Sequence, residues 1–77
     1  MNKNRRQRLE KALELLEEAM NIIEEVKDEE SEAFENMPEG LQSSERGEQM
    51  EEYVSILEEI YDNITDMQDQ IAEIVEG

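Results

Sequence analysis

The chain has no cysteine, no histidine and no tryptophan, and only one proline and three glycines in 77 residues. Without cysteine there is no disulfide to staple a small fold and no thiolate chemistry. Without histidine the usual proton shuttle near neutral pH and the commonest transition-metal ligand are missing. No run of about 18 apolar residues exists, so no membrane span is expected. The polar, basic stretch Met1 to Arg8 is not followed by the apolar segment of a secretory signal. A cytoplasmic location is the expectation.

Positive charge is also scarce, and its placement matters. The formal net charge is -16, yet five of the seven basic residues (Lys3, Arg5, Arg6, Arg8 and Lys11) lie in the first eleven positions. From Ala12 onward 22 acids face only Lys27 and Arg46, a net of -20. Such a body repels nucleic acid and anionic lipid at long range and attracts basic surfaces, so no direct nucleic-acid binding is expected. Strong acidity with few aromatics is also a signature of disorder, and the hydrophobic periodicity has to decide.

It decides for helix. With Leu9 as heptad position a, the first segment places Leu9, Leu16, Ile23, Glu30 and Met37 at a and Ala12, Ala19, Val26 and Ala33 at d. Leu13, Met20, Lys27 and Phe34 fall at e, and Leu15 and Ile22 at g. Positions b, c and f are almost wholly polar. The second segment, with Met50 at a, runs Met50, Tyr53, Leu57, Ile60, Ile64, Met67, Ile71 and Ile74 through a and d without a polar interruption. Val54, Tyr61 and Val75 extend its stripe at e, and Ile56 at g. Apolar residues recurring at three and four on both segments mark amphipathic helices.

Between them lies ENMPEGLQSSERGEQ, residues 35 to 49. Pro38 disfavours helix at Met37, Gly40 supports a turn, and Ser43 or Ser44 is a candidate cap for the second helix. Glu45 and Glu48 then sit where the helix dipole favours acids, whereas Gly47 is a poor helix residue and loosens the start by several positions. The expected fold is all-α: one antiparallel helical hairpin over residues 1–77, with helix 1 at about 4–35, the turn at about 36–44 and helix 2 at about 45–76.

The apolar surface covers a, d, e and part of g on both helices, too wide a face for one neighbour. Either two hairpins pair into a four-helix bundle or a partner protein covers the rest. The expected oligomer-interface residues are Leu9, Leu16, Ile23, Tyr53, Leu57, Ile60, Tyr61 and Ile64. One disagreement is the run KDEESE, Lys27 to Glu32, which puts Glu29 and Glu30 where apolar residues belong. Either it leaves the core or the register shifts. The basic start sits at the unfavourable end of a helix dipole, which an antiparallel neighbour ending in Glu73 and Glu76 offsets.

No catalytic constellation is present, and no enzymatic activity, cofactor or metal is expected. Di-iron bundles need a Glu-x-x-His motif, calcium loops need alternating oxygen ligands around a glycine, and a glycosidase pair needs a cleft. Met20, Met37, Met50 and Met67 all fall on the apolar face and read as core.

The remaining feature is the acidic exterior. Glutamate pairs recur at Glu17-Glu18, Glu24-Glu25, Glu51-Glu52 and Glu58-Glu59, joined by Asp62 and Asp66. Seven helical residues rise about 10.5 Å, and acids at intermediate f positions narrow the gap to about 5 or 6 Å, similar in order to the spacing of phosphates along a nucleic-acid strand. A solvated face explains charge but not its sign, because ordinary helices intersperse lysine and gain i to i+4 attractions. These ten acids are the candidate surface for a basic, nucleic-acid-handling partner.

ENMPEGLQSSERGEQMEE, with its flanking acidic heptads, resembles small acidic helical-hairpin proteins of unassigned function from Gram-positive bacteria and their phages. The resemblance implies a helical hairpin in a bacterial cytoplasm and no particular activity. In general character such a chain is similar to DNA-mimic inhibitors of host defence of the anti-CRISPR kind. The leading expectation is therefore a non-enzymatic acidic binding protein of that type. The alternatives are a coiled-coil oligomerisation module whose charge only confers solubility, and a bundle that holds a small anionic ligand near Arg5, Arg6 and Arg8.

Overall fold

The computed structural model describes residues 1–77. Two long helices, α1 (Lys3–Glu35) and α3 (Glu45–Glu76), pack side by side in antiparallel sense, joined by a single-turn helix, α2 (Glu39–Gln42). The result is a thin rod of 58 × 15 × 13 Å, measured over Cα positions. It has no strand.

Each long helix begins on a side-chain cap. Asn2 Oδ1 accepts the Arg5 N–H at 2.8 Å at the start of α1, and Ser44 Oγ accepts the Gly47 N–H at 3.3 Å at the start of α3. Both satisfy amides that have no partner inside the helix. Glu45 and Glu48 occupy the first turn of α3, whereas α1 begins with none. No ion pair forms between the arginines of α1 and the acids at the end of α3; the two salt bridges of the chain are Lys11–Glu14 and Lys27–Asp28.

The connection is more ordered than a plain turn. Pro38 stands at the N-cap of α2, and its carbonyl accepts from Leu41 N at 2.8 Å and Gln42 N at 3.1 Å. The Gln42 side-chain amide then reaches back over the end of α1, donating toward the carbonyls of Phe34 (3.2 Å), Met37 (3.1 Å) and Glu35 (3.4 Å). The Phe34 carbonyl also accepts from Met37 N at 3.1 Å, so the amide's added cover falls chiefly on the carbonyls of Glu35 and Met37, from a side chain that composition alone does not mark. Ser44 Oγ also donates to the Leu41 carbonyl.

Gly47 does not loosen the start of α3. It is one of only two buried residues, and a Cβ there would overlap the Gln42 carbonyl oxygen and come within 2.7 Å of the Gln42 carbonyl carbon and the Leu41 oxygen. Its missing side chain lets the backbone of α2 lie directly on the first turn of α3. Glycine is there for close approach, and α3 starts at Glu45.

The seam of the hairpin is not the a/d seam of a two-stranded coiled coil. At a and e of α1 the residues turned inward are Arg6, Leu9, Leu13, Leu16, Met20, Ile23, Lys27, Glu30 and Phe34, followed by Met37 just past its end; on α3 they are Gly47, Met50, Val54, Leu57, Tyr61, Ile64, Gln68, Ile71 and Val75. Both sets are positions a and e. The d position of α3 (Tyr53, Ile60, Met67 and Ile74) is exposed, as are Val26 and Ala33 of α1. The helix is continuous through Lys27 to Glu32, without leaving the seam or changing register: Lys27, Glu30 and Ser31 are half-buried and Glu29 points out.

The physical reason lies in α1, whose d residues are mainly alanine while its e residues include Leu13, Met20 and Phe34. Turning e inward buries more apolar area. In an antiparallel pair the two helices are related by a two-fold axis through the seam, so the same heptad positions fall on the same broad face. Position d lies about 80° and g about 140° to one side of the a/e seam, b and f about 80° and 120° to the other, and c at the back. One broad face of the rod is therefore apolar (d and g) and the other acidic (b and f).

Candidate acidic interface

The ten acids singled out from the sequence are all exposed, but the fold divides them. Glu17, Glu24, Glu51 and Glu58 at b and Asp62 at f share one broad face. Glu18, Glu25, Glu52, Glu59 and Asp66, at c, run along the outer edges of the two helices. Glutamate neighbours in sequence thus point in directions about 100° apart, and the paired rows read from the sequence become one central field and two margins.

Shallow grooves between the helices run along the central field. One is lined by Glu24, Lys27, Leu57, Glu58, Tyr61 and Asp62, and the next toward the turn includes Ser31, Phe34, Glu51, Val54 and Glu58. Farther along, Gln68 Nε2 donates to Glu17 Oε2 at 3.1 Å, tying α3 to α1 across the seam. Thr65 Oγ1 donates to the Tyr61 carbonyl one turn back, at 3.1 Å, and so presents little to a ligand.

Lys27 is the residue that sequence reasoning passed over. It holds an e position among acids, half-buried, with its ammonium 3.0 Å from Asp28 Oδ1. The hydrogen bond to Asp28 is the main cause that holds its pKa above the ordinary 10.5; partial burial opposes this, and the charges of Asp28, Glu58 and Glu24 add to it. Beyond the basic start of α1, where Lys3 falls at b and Arg6 at e, it is the one cation on the acidic face, and its signal in the sequence is a lone lysine between Met20 and Phe34 at e.

No group of three or more carboxylates converges closely enough to hold a metal ion. Of the eight residues expected at an oligomer interface, Leu9, Leu16, Ile23, Leu57, Tyr61 and Ile64 are half-buried between the two helices of one hairpin, and Tyr53 and Ile60 stand exposed. Leu15, Ile22, Val26, Ile56, Met67 and Ile74, outside that set, are exposed as well. Their position in the heptads was legible; that they lie outside the hairpin seam was not. No helix is long and apolar enough to cross a membrane. No protein-family model, curated protein or solved structure matches the chain.

Proposed function

We propose that the protein is a non-enzymatic acidic binding protein that occupies a basic, nucleic-acid-binding surface of a partner, in the manner of DNA-mimic inhibitors. The observation that carries this reading is the segregation of charge: 20 of the 23 acids fall at b, c and f, and one broad face of the rod presents carboxylates, with cations only at Lys27 and, at the start of α1, Lys3 and Arg6. Like charges along a helix destabilise it, and a surface needed only for solubility would be served as well by mixed signs.

The test compares two variants of equal charge. One neutralises the central field (Glu17, Glu24, Glu51 and Glu58 to Gln, Asp62 to Asn), the other the margins (Glu18, Glu25, Glu52 and Glu59 to Gln, Asp66 to Asn). Each is immobilised beside the native protein and exposed to bacterial lysate at low and moderate salt. The expected result is a basic nucleic-acid-binding protein retained by the native chain and the margin variant, lost from the central variant, and released by salt or duplex DNA. Identical retention by all three chains would refute the proposal.

A second reading has its own observation. Eight large apolar residues stand exposed along the d/g face, which favours an oligomerisation module in which two hairpins pair into a four-helix bundle. The two readings are compatible, because they use opposite faces of the rod.

A further inference from the structure

We infer that the d/g face is covered by a second copy of this chain, and that the two hairpins lie antiparallel, with their turns at opposite ends of the bundle. The inference rests on the pairing of hairpins named above and supplies its face and its direction.

The first ground is what α3 leaves outside. Its seam takes Val54, Tyr61, Gln68 and Val75 at e, while the bulkier set at d, Tyr53, Ile60, Met67 and Ile74, faces water. A helix that turns a glutamine into its seam and exposes two isoleucines and a methionine at one position is shaped for a neighbour on that side. From α1, Leu15, Ile22 and Val26 join the same face, with Ile22 60% exposed. Because Glu17 lies opposite Gln68 and Lys27 is near Glu58, the two sets interleave along the rod as one continuous strip.

The second ground is charge. Along the helical d and g positions the only acid is Glu29; the rest of the polar border is amide, with Asn36, Gln49, Asn63 and Gln70, and arginine, with Arg5, Arg8 and Arg46. In a chain of net -16 this is the one face that a second copy can approach without carboxylate meeting carboxylate. It is also self-complementary by the two-fold argument, as a closed dimer interface must be. The face has a footprint of about 870 Å², the product of the 58 and 15 Å extents of the rod, against about 800 Å² per partner in a standard stable interface.

Direction follows from the ends. Residues 28–52, the turn end, carry ten acids against Arg46. Residues 1–13 and 72–77, the other end, carry five bases against Glu10, Glu73 and Glu76. A parallel pair would set two strongly acidic ends side by side. An antiparallel pair sets each acidic end beside a basic one, where Arg5 and Arg8, which have no ion-pair partner within the hairpin, meet opposite charge. The b and f acids then face outward on both sides of the bundle.

The purified native chain is tested by sedimentation equilibrium at micromolar concentration and by electron-spin distance measurement on a Ser43→Cys label, specific because the chain has no other cysteine. The expected result is a dimer with a label separation near the 58 Å length of the hairpin. Ile60→Glu with Met67→Glu should weaken the dimer at least tenfold, and Glu59→Gln at the margin should not. A monomer would overturn both the pairing and its direction. A dimer with labels within roughly 20 Å, two interhelical spacings, would overturn the direction alone. A dimer indifferent to Ile60→Glu with Met67→Glu would overturn the face. Since Ile60 and Met67 lie outside the hairpin seam, the distance measurement on the unmutated faces keeps the outcome readable if the double variant loses its helices.

Discussion

Replacing a helical glycine by alanine usually stabilises a protein, and Gly47 should do the opposite. In an exposed helix interior the change gains about 1 kcal/mol of propensity. At Gly47 the new Cβ meets backbone, the carbonyls of Gln42 and Leu41, and not the tip of a side chain that can swing away. The α2 turn has to move outward, which draws the Gln42 amide from the carbonyls of Phe34 and Met37 and strains the Ser44 cap. Each such hydrogen bond contributes about 1 kcal/mol net, and forced overpacking costs about 1–3 kcal/mol. The sum leaves Gly47→Ala less stable by about 1–3 kcal/mol, a fall in Tm of at least about 4 °C for a domain of this size. Gly40 is the internal control: nothing lies within 4 Å of its Cβ direction and its φ is not positive. Gly40→Ala should therefore stabilise by about 0.4–1 kcal/mol through the unfolded chain. The assay is thermal melting followed by far-ultraviolet circular dichroism at one fixed protein concentration, since pairing makes Tm depend on concentration. Gly47→Ala melting at or above the native temperature would refute the account of the turn.

Other consequences are open to the same assay. Gln42→Ala should cost about 1–2 kcal/mol by uncovering the Glu35 and Met37 carbonyls, whereas Gln49→Ala, on the surface of α3, should change little. Raising sodium chloride from low to moderate concentration should raise Tm, because screening weakens repulsion among the many exposed acids more than it weakens the two salt bridges, of which only Lys11–Glu14 is fully exposed; a fall in Tm would count against an exterior dominated by repulsion. For Lys27 the sign follows from its raised pKa. A folded-state value above 10.5 means that its contribution to stability is fully present below pH 10.5 and is lost as pH rises through the folded value. Lys27→Gln should accordingly be less stable than the native chain at pH 7, with the gap closing above pH 10.5; a gap independent of pH would assign the effect to packing of the lysine stem.

The helical elements follow from local sequence. Apolar residues at three and four, a polar remainder, Pro38 and a serine able to cap are local features, and local propensity and capping are governed by neighbours in the chain. They specify helices, their ends and a short connection, and two matched helices with a short connection have few ways to pack. The candidate acids were legible for the same reason, since a charged residue at b, c or f stays outside whichever apolar positions pair. The phase of the helices was set by packing. A segment apolar at a, d and e can bury a with d or a with e, and no local rule chooses. The choice belongs to the pair: the alanines at d in α1, set against Leu13, Met20 and Phe34 at e, turn e inward, and α3 follows although its own bulk lies at d. That rotation separates Glu17 from Glu18 into field and margin, sets Lys27 among acids, and leaves Tyr53, Ile60, Met67 and Ile74 facing outward. The close approach at Gly47 is of the same kind, because the backbone it admits comes from five residues away and is brought there only by the turn of α2.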